Sequence, residues 1–340
     1  MKRKFSMLLA AASLVALAAG SAWAGGAQDL AAAQAAGDRS AHDEAIKLYT
    51  QALGDNALTP DQRLQALRGR ATAYFAKSMI AETFNRKDNA ERFGADSIAD
   101  YSAAIKIKGD DASLYAARGQ VRQLAGRNDE AIEDFSAAIK LQPATETWLQ
   151  RAATLRGKGD FDRALADYDA ALASQAKKGG ADEADLLNER GFTWFMAGKY
   201  TQAADDFAKA MSLGMGERAG DVLWLPYQTV WLHLARARAG IDDSRQLKDD
   251  ATRLDLTKWP GTAVSYLLGQ TDLKQLSTGS THGGASRGRE CAVSFIAGEQ
   301  ALAKGDKVQG GEMLRRAVDV CAAQHVYSAI ARQELKRLDK

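Results

Sequence analysis

The chain has 340 residues, with 45 Lys and Arg against 43 Asp and Glu, two cysteines and four prolines. A formal charge of +2 is too small for the electrostatic footprint of a nucleic-acid binder, and nothing after residue 24 is apolar over the roughly 20 residues that a spanning helix needs. The length suits two globular domains or one long repeat array.

Residues 1–24 read as a secretory signal. Lys2, Arg3 and Lys4 precede an apolar run from Met7 to Ala19, and Gly20, Ser21 and Ala22-Trp23-Ala24 follow. A basic start, a short apolar stretch and small residues one and three before a cut place cleavage after Ala24. The next residue is Gly25, not Cys, so a bacterial lipid anchor has no attachment point. The expected location is therefore periplasmic or secreted, not lipid-anchored. Without the leader, 42 basic side chains face 43 acidic ones, so the basic excess belongs to the leader.

Beyond it one phrase recurs: a small residue, a Tyr, Phe or Leu four places on, and an Ala seven places on. It reads Ala45-Tyr49-Ala52, Ser97-Tyr101-Ala104, Ala131-Phe135-Ala138, Ala164-Tyr168-Ala171, Ala203-Phe207-Ala210 and Gly310-Leu314-Ala317. Residues four and seven apart share one helix face, so each copy predicts a helix whose small residues admit a close neighbour. Gly126, Gly159, Gly198 and Gly305 lie five places before the small residue, where a turn between two helices needs them. Gly119, Gly191 and Gly298, and Ala152 in the remaining copy, lie seven places earlier still, where a partner helix approaches. Each unit is a helical hairpin.

In chain order, residues 25–53 form a hairpin with a stretched turn, since Gly37 stands eight places before Ala45. Residues 61–108 form the second, with Gly69, Ala71 and Tyr74 in its first helix. An extra segment, Ser78 to Ala95, separates its helices and either extends the first helix or forms a lid. Residues 112–141 and 145–173 are the cleanest hairpins, and 184–213 is the fifth, set off by the polar loop Ala176-Lys177-Lys178-Gly179-Gly180. The array is expected to cover 25–215. Over 216–277 the phrase fades into degenerate helical repeats: a helix around Leu225 to Ala235, its partner from Asp243 to Leu254, a stop at Trp259-Pro260, and short helices at Thr262–Leu268 and Asp272–Leu276. Residues 278–290, rich in Gly, Ser and Thr, read as a flexible linker. The region 291–340 holds the last hairpin, Cys291 to Val320, and a closing helix, Val326 to Leu338, with the polar face that capping requires.

Cys291 and Cys321 fall at neighbouring ends of that last hairpin. In an oxidising compartment a disulfide is the expected reading; two buried thiols used as small apolar residues is the other.

Successive small residues are 34, 33 and 39 apart from Ser97 to Ala203. With Tyr115, Gly119, Ala131, Phe135, Ala138 and Pro143, then Trp148, Ala152, Ala164, Tyr168 and Ala171, the pattern resembles the tetratricopeptide repeat (TPR) family. The resemblance implies an all-α solenoid of antiparallel helical hairpins, a curved right-handed superhelix ending in a capping helix. The order of elements from Leu223 to Leu338, with Trp259-Pro260-Gly261 and Tyr266-Leu267-Leu268-Gly269, is similar to periplasmic NlpI-type TPR proteins. That likeness implies an adaptor holding cell-wall hydrolases or a protease, often as a homodimer; the missing lipobox cysteine departs from it.

No catalytic constellation is evident. His42, His233, His282 and His325 belong to different units, and the nearest approach to a site, Gly279-Ser280-Thr281-His282-Gly283-Gly284, lies in the linker. Asp129-Glu130, Asp205-Asp206 and Asp249-Asp250 read as solvated helix faces. The expectation is a non-enzyme with no cofactor and no metal, binding protein partners such as cell-envelope enzymes through the first helices of its hairpins. The residues predicted to point into that groove are Arg70, Tyr74, Gln120, Gln123, Arg156, Asn188, Phe192 and Phe195, with burial of the two phenylalanines under the 221–240 helix as the other reading. Trp148 and Trp194 read as core plugs. Two other functions stay open, a self-associating structural or secretion-assembly subunit and a hydrolase with an unrecognised site.

Overall fold

The computed structural model describes residues 25–175, 181–217, 224–278, 285–323 and 325–340. Residues 1–24, read above as a signal, residues 176–180 and residues 279–284 with His282 lie outside them. Among the described residues there are seventeen helices and no strand. The chain divides into two compact units, residues 1–154 and 155–340.

The first unit contains α1 (Gly25–Asp38), α2 (His42–Leu53), α3 (Pro60–Thr83), α4 (Lys87–Ile107), α5 (Ala112–Leu124), α6 (Asn128–Leu141) and most of α7 (Thr145–Lys158). Helix α3 starts on a capping box: Thr59 and Gln62 each accept the other's backbone N–H, and Pro60 supplies a helical φ at no hydrogen-bond cost. The recurring small residues lie at the helix contacts, with Ala45, Ala52, Ala71, Ala104 and Ala131 all fully buried. At Gly119 the need is physical, because a Cβ there would stand 2.8 Å from the ring of Phe135.

Two local expectations in this unit are corrected. The turn between α1 and α2 is not stretched around Gly37; Ser40, five places before Ala45, takes the left-handed position with φ +57°. Gly126 fills the same position in the α5–α6 turn at φ +72°. The segment from Ser78 to Ala95 is no lid. It lengthens both helices of the second hairpin, and Asn85, at φ +53°, makes the turn seven residues before the position that Ser97 predicts. Seven residues are about two helical turns, some 10 Å.

The second unit holds the end of α7, then α8 (Phe161–Gln175), α9 (Ala181–Met196), α10 (Tyr200–Glu217), α11 (Trp224–Arg238), α12 (Ser244–Ala251), α13 (Gly261–Leu267), α14 (Leu273–Thr278), α15 (Ala285–Ala303), α16 (Lys307–Val320) and α17 (Val326–Leu338). Its largest buried cluster is built around Trp231, whose ring lies 4.8–5.9 Å from those of Phe192, Phe195, Phe207, Phe295 and Tyr327, and a smaller one gathers Ala184, Leu187 and Ala210. Residues 224–276 contribute centrally to this core through Trp231, Leu234, Leu247, Val264 and Leu276. Helix α12 ends at Ala251, well before Trp259-Pro260, and Gly261 is required where a Cβ would meet the Asp255 carbonyl oxygen at 2.2 Å.

The linker expected over 278–290 is shorter than its composition implied. Helix α15 begins at Ala285, and its first turns are held by Arg287 Nε donating to the Val320 carbonyl (3.2 Å) and by the Glu290–Arg316 ion pair (2.7 Å). Cys291 thus lies inside α15 and is disulfide-bonded to Cys321 at the end of α16. Helix α17 covers Val326–Leu338 as expected, started by His325, whose Nδ1 accepts the Tyr327 N–H at 3.3 Å.

Candidate functional site

The first helices of the hairpins carry all eight predicted groove residues, and the structure distributes them among different environments. Arg70 on α3 is engaged within the fold: Nε and Nη2 form a fork on Asp100 of α4 at 2.7 and 2.8 Å, and Nη1 donates to Thr50 of α2 at 3.0 Å. Gln123 donates to Thr154 at 2.8 Å. Arg156 is paired with Glu189 at 2.6 Å, with the Arg side chain 20% exposed. Asn188 is buried, and its Oδ1 has no hydrogen-bond partner.

The two phenylalanines are not groove residues. Phe195 is fully buried, edge-on to Tyr200 and Trp231, and Phe192 packs on Phe207 and Trp231 at 5.3 and 4.8 Å. Helix α11 covers both, so burial beneath the helix that follows the fifth hairpin is the arrangement adopted. Tyr74 and Gln120 remain half-buried and make no side-chain hydrogen bond among the described residues; Tyr74 stacks on Phe93 with centroids 6.2 Å apart. Trp148 is partly exposed, and Trp194 lies at the core edge beneath the Lys199 ammonium, 5.0 Å from its ring centroid.

A regular device went unrecognised in the sequence. Arg118 and Arg190, like Arg70, stand one place before the small residue of the first helix, and each forks onto an Asp three places after the small residue of the second. The pairs are Arg118–Asp134 (3.0 and 2.7 Å) and Arg190–Asp206 (2.8 and 2.6 Å). A third N–H of the same guanidinium reaches the preceding hairpin: Arg118 to Ser102 (2.9 Å) and Arg190 to Asp169 (2.6 Å), as Arg70 does to Thr50. Arg151 donates to Ser136 in the same register at 2.9 Å. One planar fork thus joins two helices of its own hairpin and stitches that hairpin to its predecessor. The spacing Arg-Gly or Arg-Ala with Asp before Tyr or Phe was the signal. It also corrects the reading of acidic pairs as solvated faces: Asp206 is buried against Arg190, and Asp250 is buried and accepts from Gln246 at 3.0 Å.

A second ionic cluster lies in the core of the second unit. Arg238 of α11 bridges Glu299 of α15 and Glu334 of α17, and Glu334 also accepts from Tyr200 (2.8 Å) and pairs with Arg337. Burial, and next the neighbouring Glu334 charge, pushes the Glu299 carboxyl well above the usual carboxylate range. Every member faces another member or Arg337, so the cluster reads as a clasp closing the C-terminal helix. Among the described residues no group of three His, Cys, Asp or Glu is arranged to hold a metal. No described helix is long and apolar enough to cross a membrane.

Hairpins closed by small residues, left-handed turns and a 34-residue register match the family model described as "Tetratricopeptide repeat" over residues 112–145, which spans α5 and α6. Residues 112–145 therefore carry a tetratricopeptide repeat, and the fold is that of solved tetratricopeptide-repeat proteins. The human Tetratricopeptide repeat protein 13 is 25% identical to this chain over 170 residues, half of the chain; the chain spans 18% of that protein's length. A solved tetratricopeptide repeat protein from Parabacteroides merdae shares the fold with a TM-score of 0.51 at 12% identity, over 91% of this chain and 98% of that one. The C-terminal part of a TPR repeat-containing protein from Cytophaga hutchinsonii aligns with a TM-score of 0.49 at 14% identity, over 86% and 95% of the two chains.

Proposed function

We propose that this protein is an exported scaffold that binds a cell-envelope protein and holds it in place, without chemistry of its own. One observation carries the reading: Arg70, Arg118 and Arg190 with their aspartates are engaged in closing and stitching hairpins, while Tyr74 and Gln120 on the first helices make no side-chain hydrogen bond among the described residues. Such a frame presents surface rather than a reaction centre. The leader-like residues 1–24 and the Cys291–Cys321 disulfide support placement outside the cytoplasm, where such bonds persist. A cell-wall hydrolase or a processing protease is the partner class that the NlpI-type likeness favours.

Affinity capture with the full chain from an envelope extract tests this. A defined partner should be retained by the wild type and lost in part by Tyr74→Ala with Gln120→Ala. An empty capture, or hydrolysis of peptidoglycan or peptides by the purified protein alone, would refute the reading.

A further inference from the structure

The two extra turns of the second hairpin bury Ala81 and Ala90 between their helices but leave their large apolar side chains outside. Phe84 at their tip is 67% exposed and Ile80 48% exposed. With Lys77, Arg86, Arg92 and Phe93 they line a pocket of about 710 Å3, completed by the turn and first residues of α2, Ser40 to Glu44. The volume suits one large side chain and its flanking backbone.

The charges of this pocket are unevenly satisfied. Asp43 is paired with Lys77, and Glu44 with Arg39 at 3.5 Å. Arg86 and Arg92 have no carboxylate within ion-pair distance among the described residues. Their guanidinium carbons instead lie 5.9 Å from the centroid of the Phe84 ring and 4.7 Å from that of Phe93. A guanidinium held over a ring face still has N–H groups at its edge that can donate to a carboxylate. Helices α2 and α4 begin at this pocket without a side-chain N-cap, and Asp43, Glu44 and Asp88 in their first turns already answer their positive ends, so the anion preference rests on Arg86 and Arg92. The turn on each side is made by a non-glycine residue with positive φ, Ser40 and Asn85, local strain of the kind that accompanies recognition sites.

We propose that this pocket docks a short partner segment in which an apolar side chain is flanked by carboxylates. The apolar side chain lies against Ile80 and Phe84, and the flanking Asp or Glu side chains pair with Arg86 and Arg92. The inference rests on the protein-binding reading and names the chemistry of the partner.

The test is a fluorescence anisotropy titration of the full chain with a fluorescein-labelled, end-blocked Asp-Leu-Phe-Glu peptide. Binding should saturate, weaken as salt rises, and fall at least about tenfold when the acids of the peptide become Asn and Gln. The double variant Arg86→Glu/Arg92→Glu should lose a similar factor, and so should Phe84→Ser. Both change exposed side chains, and an unaltered thermal melt establishes that the fold is kept. No saturation with the wild type, equal affinity for the charge-reversed variant, or binding only to vesicles containing phosphatidylglycerol would overturn the proposal. A partner captured equally by wild type and the charge-reversed variant would also overturn it while sparing the scaffold reading, whereas an empty wild-type capture strikes the scaffold reading itself.

Discussion

At the scale of single residues the fold depends on arginines that make three hydrogen bonds each, two within their own hairpin and one to its predecessor. Asp206 is buried, and Arg190 is its ion-pair partner; Asp206 already has its carboxyl raised by burial, with Arg190 opposing that rise. Removing Arg190 leaves a buried carboxylate uncompensated, a change that costs about 3 kcal/mol. Urea unfolding of Arg190→Ala should show this loss, and Arg190→Ala/Asp206→Ala should recover part of it. Glu299 is shifted in the same direction, and further. Its folded carboxyl is held above the unfolded value of 4.5, so the proton it keeps stabilises the fold at acid pH. That stabilisation is lost as pH rises through the folded value. Glu299→Gln imitates the protonated form. Its stability should therefore match or exceed that of the wild type at mildly alkaline pH, and the decline from about pH 5 to about pH 8 should be shallower. Equilibrium unfolding across that range reads both. The phrase of small and aromatic residues was legible because it repeats in one helix face. The Arg–Asp fork repeats as regularly, but its partners sit on two helices, and each alone looks like a solvated charge.

At the scale of elements, turns and helix lengths were half readable. Glycine announced the turns at Gly126, Gly159, Gly198 and Gly305, all with positive φ. Ser40 and Asn85 adopt the same backbone region without the glycine signature, so the first turn was sought at Gly37 and the second hairpin looked interrupted. Ser40→Gly should remove left-handed strain and stabilise the first unit by about 0.5 kcal/mol, the net of relieved strain and added unfolded-state entropy. A rise in its urea midpoint at unchanged slope is the check. The helix after the fifth hairpin lacks the repeat phrase, so its covering of Phe192 and Phe195 was one of two open readings, and Trp231 did not stand out as the residue that does it. Trp231→Ala removes the ring shared by five aromatic neighbours and should cost about 3–5 kcal/mol, with loss of near-ultraviolet circular dichroism as the readout.

At the scale of the whole molecule the two units differ in how they are held. In the first, buried clusters join adjacent hairpins, the arrangement expected of a repeat array. In the second, one core runs from α9 to α17 and a disulfide closes a loop of 30 residues. On the chain-entropy model that bond contributes about 3–4 kcal/mol. Reduction, or Cys291→Ser with Cys321→Ser, should lower hydrogen-exchange protection across residues 285–338 while leaving that of residues 25–141 unchanged.

Arg337 donates to the backbone carbonyls of Met196 (2.6 Å) and Phe195 (3.4 Å), 141 and 142 residues earlier in the chain. The last turn of α9 is therefore finished by a side chain synthesised 141 residues later. Early hairpins can settle as they emerge, but α9 must wait, unclosed, until α17 has been made. Folding of the second unit is thereby tied to the arrival of its closing helix, a delay that contacts between adjacent hairpins do not shorten.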